Sequence, residues 1–150
     1  MIIKNDVKEI AMMRFKDASA LLRNRRYNGS VYMGGYCIEL LLKYNICNLL
    51  KLTEGYPETK ADLNVYLNYS NSSFFKNNEK ADLKLFKSHN LNNLLQISGK
   101  EPEVKKLFFN EWEHVKIWNT DLRYSKTYIS GKEAKLFYDS VNNIKHSLIN

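Results

Sequence analysis

The sequence predicts an all-α fold, an up-and-down bundle of four long helices with one or two short ones. Three observations carry this. Apolar residues recur at intervals of three and four along most of the chain, which is the spacing of one helical face. Only Pro57 and Pro102 interrupt the 150 residues, so long helices can form without a breaker. No stretch of useful length alternates apolar and polar residues as a half-buried strand does.

The first helix is expected over residues 6–25. Val7, Ile10, Ala11, Ala18, Leu21 and Leu22 form its apolar stripe, and Arg14 falls on the same stripe. An arginine there pairs with a buried carboxylate or snorkels to the edge, and Glu39 is the candidate partner. Asn28-Gly29 reads as the turn and Ser30 as the cap of the second helix, residues 31–50. So short a link makes the two helices antiparallel neighbours. The second helix, VYMGGYCIELLLKYNICNLL, is apolar nearly all the way round. Twenty residues would reach across a bilayer, but the embedded Glu39, Lys43 and asparagines argue for a helix buried in a bundle. Glu39 and Lys43 stand four apart in the favourable order for an ion pair. Charges on a buried helix need partners, so they mark a structural pair or a polar site beside the core. Gly34 and Gly35 each cost about 1 kcal/mol relative to Ala in a helix, which is tolerable where a neighbour must come close.

The region 55–87 is less regular and reads as an insertion. A short helix is expected over Ala61–Tyr69, with Leu63, Tyr66 and Leu67 or Tyr69 inward. A polar loop carrying Phe74 and Phe75 follows, then helix again from Lys80 to Phe86. SHNLNNLLQISG gives a short helix with Leu91, Leu94 and Leu95 inward, Ser88 as cap, Gly99 as stop and His89 at its mouth. A histidine there is expected to be exposed or to make a hydrogen bond. Pro102 opens a further helix in a favoured first-turn position, with Val104, Leu107, Phe108, Trp112, Val115 and Trp118 or Asn119 inward. After the loop NTDLRYSKTY, Ser130 and Glu133 form a capping box ahead of a last helix. Its inward residues are Ala134, Phe137, Tyr138, Val141, Ile144 or Lys145, and Leu148.

A chain of this length forms one domain, residues 1–150, and its 44% hydrophobic and 26% charged residues are those of a globular protein. The net charge of +7 suits an acidic partner such as nucleic acid, or serves solubility, because the cations are spread along the chain. Cys37 and Cys47 would lie about 15 Å apart along one helix, too far for a disulfide. They read as buried thiols of a cytoplasmic protein, and MIIKNDVKEI lacks the apolar core of a signal peptide. Neither a membrane partner nor a cofactor is expected.

No glycine-rich phosphate loop follows a strand, and His89, His114 and His146 lack zinc spacing with the cysteines. His114 is expected to flank the inward Val115. Two constellations remain. Arg23, Arg25, Arg26 and Tyr27 either compensate the negative end of the first helix or contact nucleic acid. Trp118-x-x-Asp121-x-Arg123-Tyr124 puts an arginine between two helices, to bridge to Asp121 or Glu39, bind phosphate or assist catalysis.

Taken in order, Ala11-x-x-Arg14-x-x-x-Ala18-x-x-Leu21-Leu22, RYNGSVYMGGYCIELLLKYNIC from Arg26, SHNLNNLL, and Trp118 with Arg123-Tyr124 resemble the HEPN domain family (higher eukaryotes and prokaryotes nucleotide-binding). The resemblance spans about two thirds of the chain and leaves the middle insertion unmatched. It implies a dimerising helical bundle in a bacterial or archaeal setting, often beside a small nucleotidyltransferase in a toxin–antitoxin or defence pair. Many members of the family resemble metal-independent ribonucleases that cut with an Arg followed four to six residues later by a His. Arg123 matches that Arg, but YSKTYISG follows and Tyr128 takes the place of the His. No other Arg here has a His at that spacing.

That absence has chemical weight. Cleavage of RNA by its own 2′-hydroxyl needs a proton acceptor and a donor for the leaving oxygen, a contribution of roughly a hundred- to ten-thousandfold. Arg123 does not titrate near neutrality, and Tyr128 has an ordinary pKa of about 10. The expectation is a non-catalytic HEPN-like module binding a nucleotide, a nucleic acid or a partner protein through Arg14, Glu39, Lys43, Arg123 and Tyr124. The alternative is a divergent metal-independent endoribonuclease using Arg123 with Tyr128 or His89.

Overall fold

The computed structural model describes residues 1–69 and 86–149, and within them the chain is an all-α bundle. Helix α1 (Lys4–Arg23) and helix α2 (Tyr27–Leu49) pair most extensively, and the last long helix, α7 (Gly131–Ile149), closes on α2 from another side. Between them come α3 (Lys60–Tyr69), α4 (Leu91–Ile97), α5 (Glu101–Leu107), α6 (Phe109–Val115) and a 3-10 turn at Thr120–Tyr124. Two-residue strands β1 (Ile2–Ile3) and β2 (Gly55–Tyr56) pair antiparallel, Ile2 opposite Tyr56. Gly55 is required there, because at φ +145° a Cβ would lie 2.1 Å from the Ile2 carbonyl oxygen. Expectations for Leu67 or Tyr69, for Phe74 and Phe75, and for a helix from Lys80 fall outside the described side chains or residues; Phe86 itself is buried.

Helix α2 is the centre of the fold. From Cys37 to Lys43 every residue is buried, because α1, α4 and α7 all pack against it. Glycine is used where the Trp118 indole lies on the helix backbone, since a Cβ at Gly35 would meet Trp118 Cγ at 2.2 Å. That indole is buried and donates from Nε1 to the Tyr32 carbonyl at 3.1 Å, which fastens the loop after α6 to α2. Among the described residues no helix is long and apolar enough to cross a membrane.

Several local expectations change. The reversal between α1 and α2 falls at Asn24–Arg26, with Arg25 at φ +57°, and not at Asn28-Gly29, which lie inside α2. Ser30 is therefore no cap. It sits within the helix and donates to the Ala18 carbonyl at 2.8 Å, stitching α2 to α1. Asn90, not Ser88, caps α4, accepting from the Asn93 N–H at 3.1 Å. The helix opened by Pro102 breaks at Phe108 (φ −134°, ψ 36°), and the rotated register leaves Leu107 exposed while Val104, Trp112 and Val115 stay buried. The capping box of α7 forms as read: Ser130 N–H donates to Glu133 Oε2 at 2.8 Å and Glu133 N–H to Ser130 Oγ at 3.2 Å.

Candidate functional site

The polar site forms where three elements meet at the middle of α2. Glu39 projects from a helix buried on every side, and its side chain has 0% of its surface exposed. Lys43, one turn later, brings Nζ to 2.8 Å from Glu39 Oε1, as the four-residue spacing requires. His89, at the mouth of α4, brings Nδ1 to 3.0 Å from the same oxygen while its ring stays 53% exposed. Lys43 Nζ also stands 5.1 Å from the centroid of the Tyr56 ring, and the Tyr56 hydroxyl donates to the Phe86 carbonyl at 2.9 Å. Lys43 thus exchanges hydration for a carboxylate and an aromatic face.

Two buried polar atoms here have no hydrogen-bond partner among the described residues: Glu39 Oε2 and Arg14 Nε. They are not each other's partners. Arg14 instead reaches Asp17 in its own helix, Nη1 to Oδ2 at 3.2 Å, so the expected Arg14–Glu39 pair is corrected. A carboxylate one turn along the same helix costs no tertiary approach. The half-buried Tyr36 hydroxyl feels both groups. Burial first, then the negative charge of Glu39, push its pKa up, and Arg14 opposes them. Donor, acceptor and phenol therefore share one region of the α1–α2 face.

Arg123 is exposed on the 3-10 turn. Its guanidinium stands 4.8 Å from the centroid of the Tyr124 ring, and no hydrogen bond or ion pair joins it to Asp121, Glu39, Arg14 or His89 among the described residues. The expected bridges from Arg123 are thus absent. Tyr124 and Tyr128 are exposed, at 76% and 79%. His114, read as a flank residue, has Nδ1 3.3 Å from Ser140 Oγ. The approach of His89 to Glu39, the part played by Tyr36, and the aromatic floor under Lys43 had no local signature in the sequence.

Among the described residues no group of three or more His, Cys, Asp or Glu could hold a metal ion. Cys37 and Cys47 are free and buried, and burial pushes both thiols up to about 12. Because only the thiolate reacts, iodoacetamide at about pH 8 is expected to leave both unmodified over hours in the folded protein and to label both in urea. Rapid native labelling of either would contradict that burial.

No protein-family model matches the chain, and comparison with the curated proteins and with the solved structures gives no match either.

Proposed function

We propose that this protein is a non-catalytic HEPN-like module that binds a nucleotide at the α1–α2 polar site. The observation that carries this reading is two buried, unpartnered atoms, the Glu39 Oε2 acceptor and the Arg14 Nε donor, on groups whose charges both act on the Tyr36 hydroxyl. Buried polar atoms are paired in the great majority of cases, so a buried acceptor and a buried donor left unsatisfied suit a ligand that offers both. A nucleobase edge does, and Tyr32 and Tyr36, with ring centroids 6.5 Å apart, supply flat surface beside it. A bacterial toxin–antitoxin or defence setting, a homodimer and a nucleotidyltransferase partner accord with the resemblance and belong to the same proposal.

Equilibrium dialysis with the four ribonucleoside triphosphates tests the site. At least one is expected to bind with a Kd below about 1 mM. Arg14→Met and Tyr36→Phe should each weaken it about tenfold, or about 1.4 kcal/mol, without unfolding the chain. Absence of binding by the wild type ends the reading.

A second reading rests on the Glu39–His89 contact. A carboxylate held on Nδ1 leaves Nε2 as the basic nitrogen on an exposed ring, the arrangement of a general base. Single-stranded RNA incubated with chelator is cut under this reading, and His89→Ala or Arg123→Ala abolishes the cutting. Intact RNA removes it.

A further inference from the structure

The corner where α1 passes into α2 gathers exposed cations from two distant segments of the chain. The side chain of Asn28 clamps the loop before α7 onto this corner, donating from Nδ2 to the Thr127 carbonyl at 2.6 Å and accepting from the Ile129 N–H at 3.2 Å. The Tyr27 hydroxyl lies close to Gly131, where a Cβ would stand 2.8 Å from it. Two segments a hundred residues apart in the chain thus share one surface. They bring Arg23, Arg25 and Arg26 beside Lys126 and Lys132, all exposed, and none of the five makes an ion pair with a described residue.

Compensation of the negative end of α1 suits Arg23 in its last turn and the two arginines that follow it, but not Lys126 or Lys132. Arg25 and Arg26 stand in the turn between α1 and α2, their N–H groups donating to the Leu22 and Leu21 carbonyls that end α1, and Lys132 stands in the first turn of α7, where the dipole is positive and a cation is disfavoured. Glu133 is an acid at the same corner, but its carboxylate already accepts from Ser130. Cations gathered against their mutual repulsion, Lys132 also against the dipole of α7, suit an external anion. The exposed Tyr128 ring stands within the clamped loop itself, one residue from Thr127 and one from Ile129.

We infer that this corner is a landing surface for single-stranded nucleic acid, its five cations on phosphates and Tyr128 stacked on a base. Stacking separates this ligand from a duplex, whose base faces are covered, and from an anionic membrane, which has none. The surface goes beyond the nucleotide site and is independent of it.

Fluorescence anisotropy with labelled oligouridylate and oligothymidylate of about 12 nucleotides, a duplex of equal length and phosphatidylserine vesicles tests the surface. Either single strand is expected to bind at about 50 mM salt, with log K falling against log salt at a slope of roughly −3 to −4 for five contacts. The stronger of the two identifies the sugar. Arg23→Glu with Lys126→Glu should cut affinity more than about tenfold and flatten the slope. Tyr128→Ala should cut it about tenfold at an unchanged slope. Far-UV circular dichroism confirms that these exposed substitutions leave the helices intact. Arg14→Met is expected to leave oligonucleotide binding unchanged, so failure of the nucleotide site and failure of this surface are told apart. The inference is overturned by no binding, by variants equal to wild type, or by duplex or vesicles binding as well as the single strands.

Discussion

Glu39→Ala destabilises the fold by about 3–5 kcal/mol, because it leaves the buried Lys43 ammonium without its carboxylate. The pair is not of the surface kind, worth less than about 1 kcal/mol, since the side chains are 0% and 7% exposed. Lys43→Met should cost less than Glu39→Ala, because Glu39 keeps the His89 contact at 3.0 Å and the thioether stem still covers the Tyr56 ring. In Glu39→Leu with Lys43→Met neither charge is left alone. That double variant is expected within about 2 kcal/mol of the wild type, far less than the sum of the single changes. His89→Ala, on a half-exposed ring, should cost under about 1 kcal/mol. Urea denaturation of the four variants and the wild type decides the matter. A Glu39→Ala midpoint near that of the wild type would mean that the lysine finds other solvation, and the polar centre of the bundle would lose its claim to be tightly held.

What could be read from the chain alone, and what could not, divides by the distance over which each interaction acts. The Glu39–Lys43 pair is an i, i+4 contact on one helix, and the capping box is an i, i+3 contact, so periodicity and spacing revealed both. The inward stripes of α1 and α7 and the all-round burial of α2 were likewise legible, because burial writes hydrophobicity directly into sequence. His89 meets Glu39 across fifty positions, and no local pattern records that meeting. Arg14 meets Asp17 three residues away and not the distant Glu39. The break at Phe108 carries no glycine or proline to announce it, and Asn24 signals a helix end without showing that Arg25 takes the left-handed conformation. The basic corner was half visible. Arg23, Arg25 and Arg26 stood out as a run, but only the Asn28 clamp shows that Lys126 and Lys132 join them.

Gly35→Ala is expected to destabilise by about 2–4 kcal/mol even though alanine is the better helix former by about 1 kcal/mol. The new methyl would stand 2.2 Å from the indole Cγ of Trp118, a separation no two non-bonded carbons tolerate. The indole cannot slide away without loss, because Nε1 is bonded to the Tyr32 carbonyl at 3.1 Å and the Tyr32 ring packs at 6.0 Å. It must leave, and its burial goes with it. Gly34→Ala is the internal control: its methyl meets the Phe137 ring at 3.2 Å, a few tenths of an ångström too close, so propensity and crowding should cancel to within about 1 kcal/mol. In a Trp112→Phe background, Trp118 emission reports the outcome directly, and a red shift in Gly35→Ala but not in Gly34→Ala marks the displaced indole. Trp118→Leu should recover part of the loss in Gly35→Ala, since the smaller side chain leaves room for the methyl. Because Trp118 fastens the segment that continues into Arg123 and Tyr124, the same variant should loosen that loop to proteolysis while Gly34→Ala does not. A Gly35→Ala protein as stable as the wild type, with unshifted emission, would show that helix and indole do not lie in contact there.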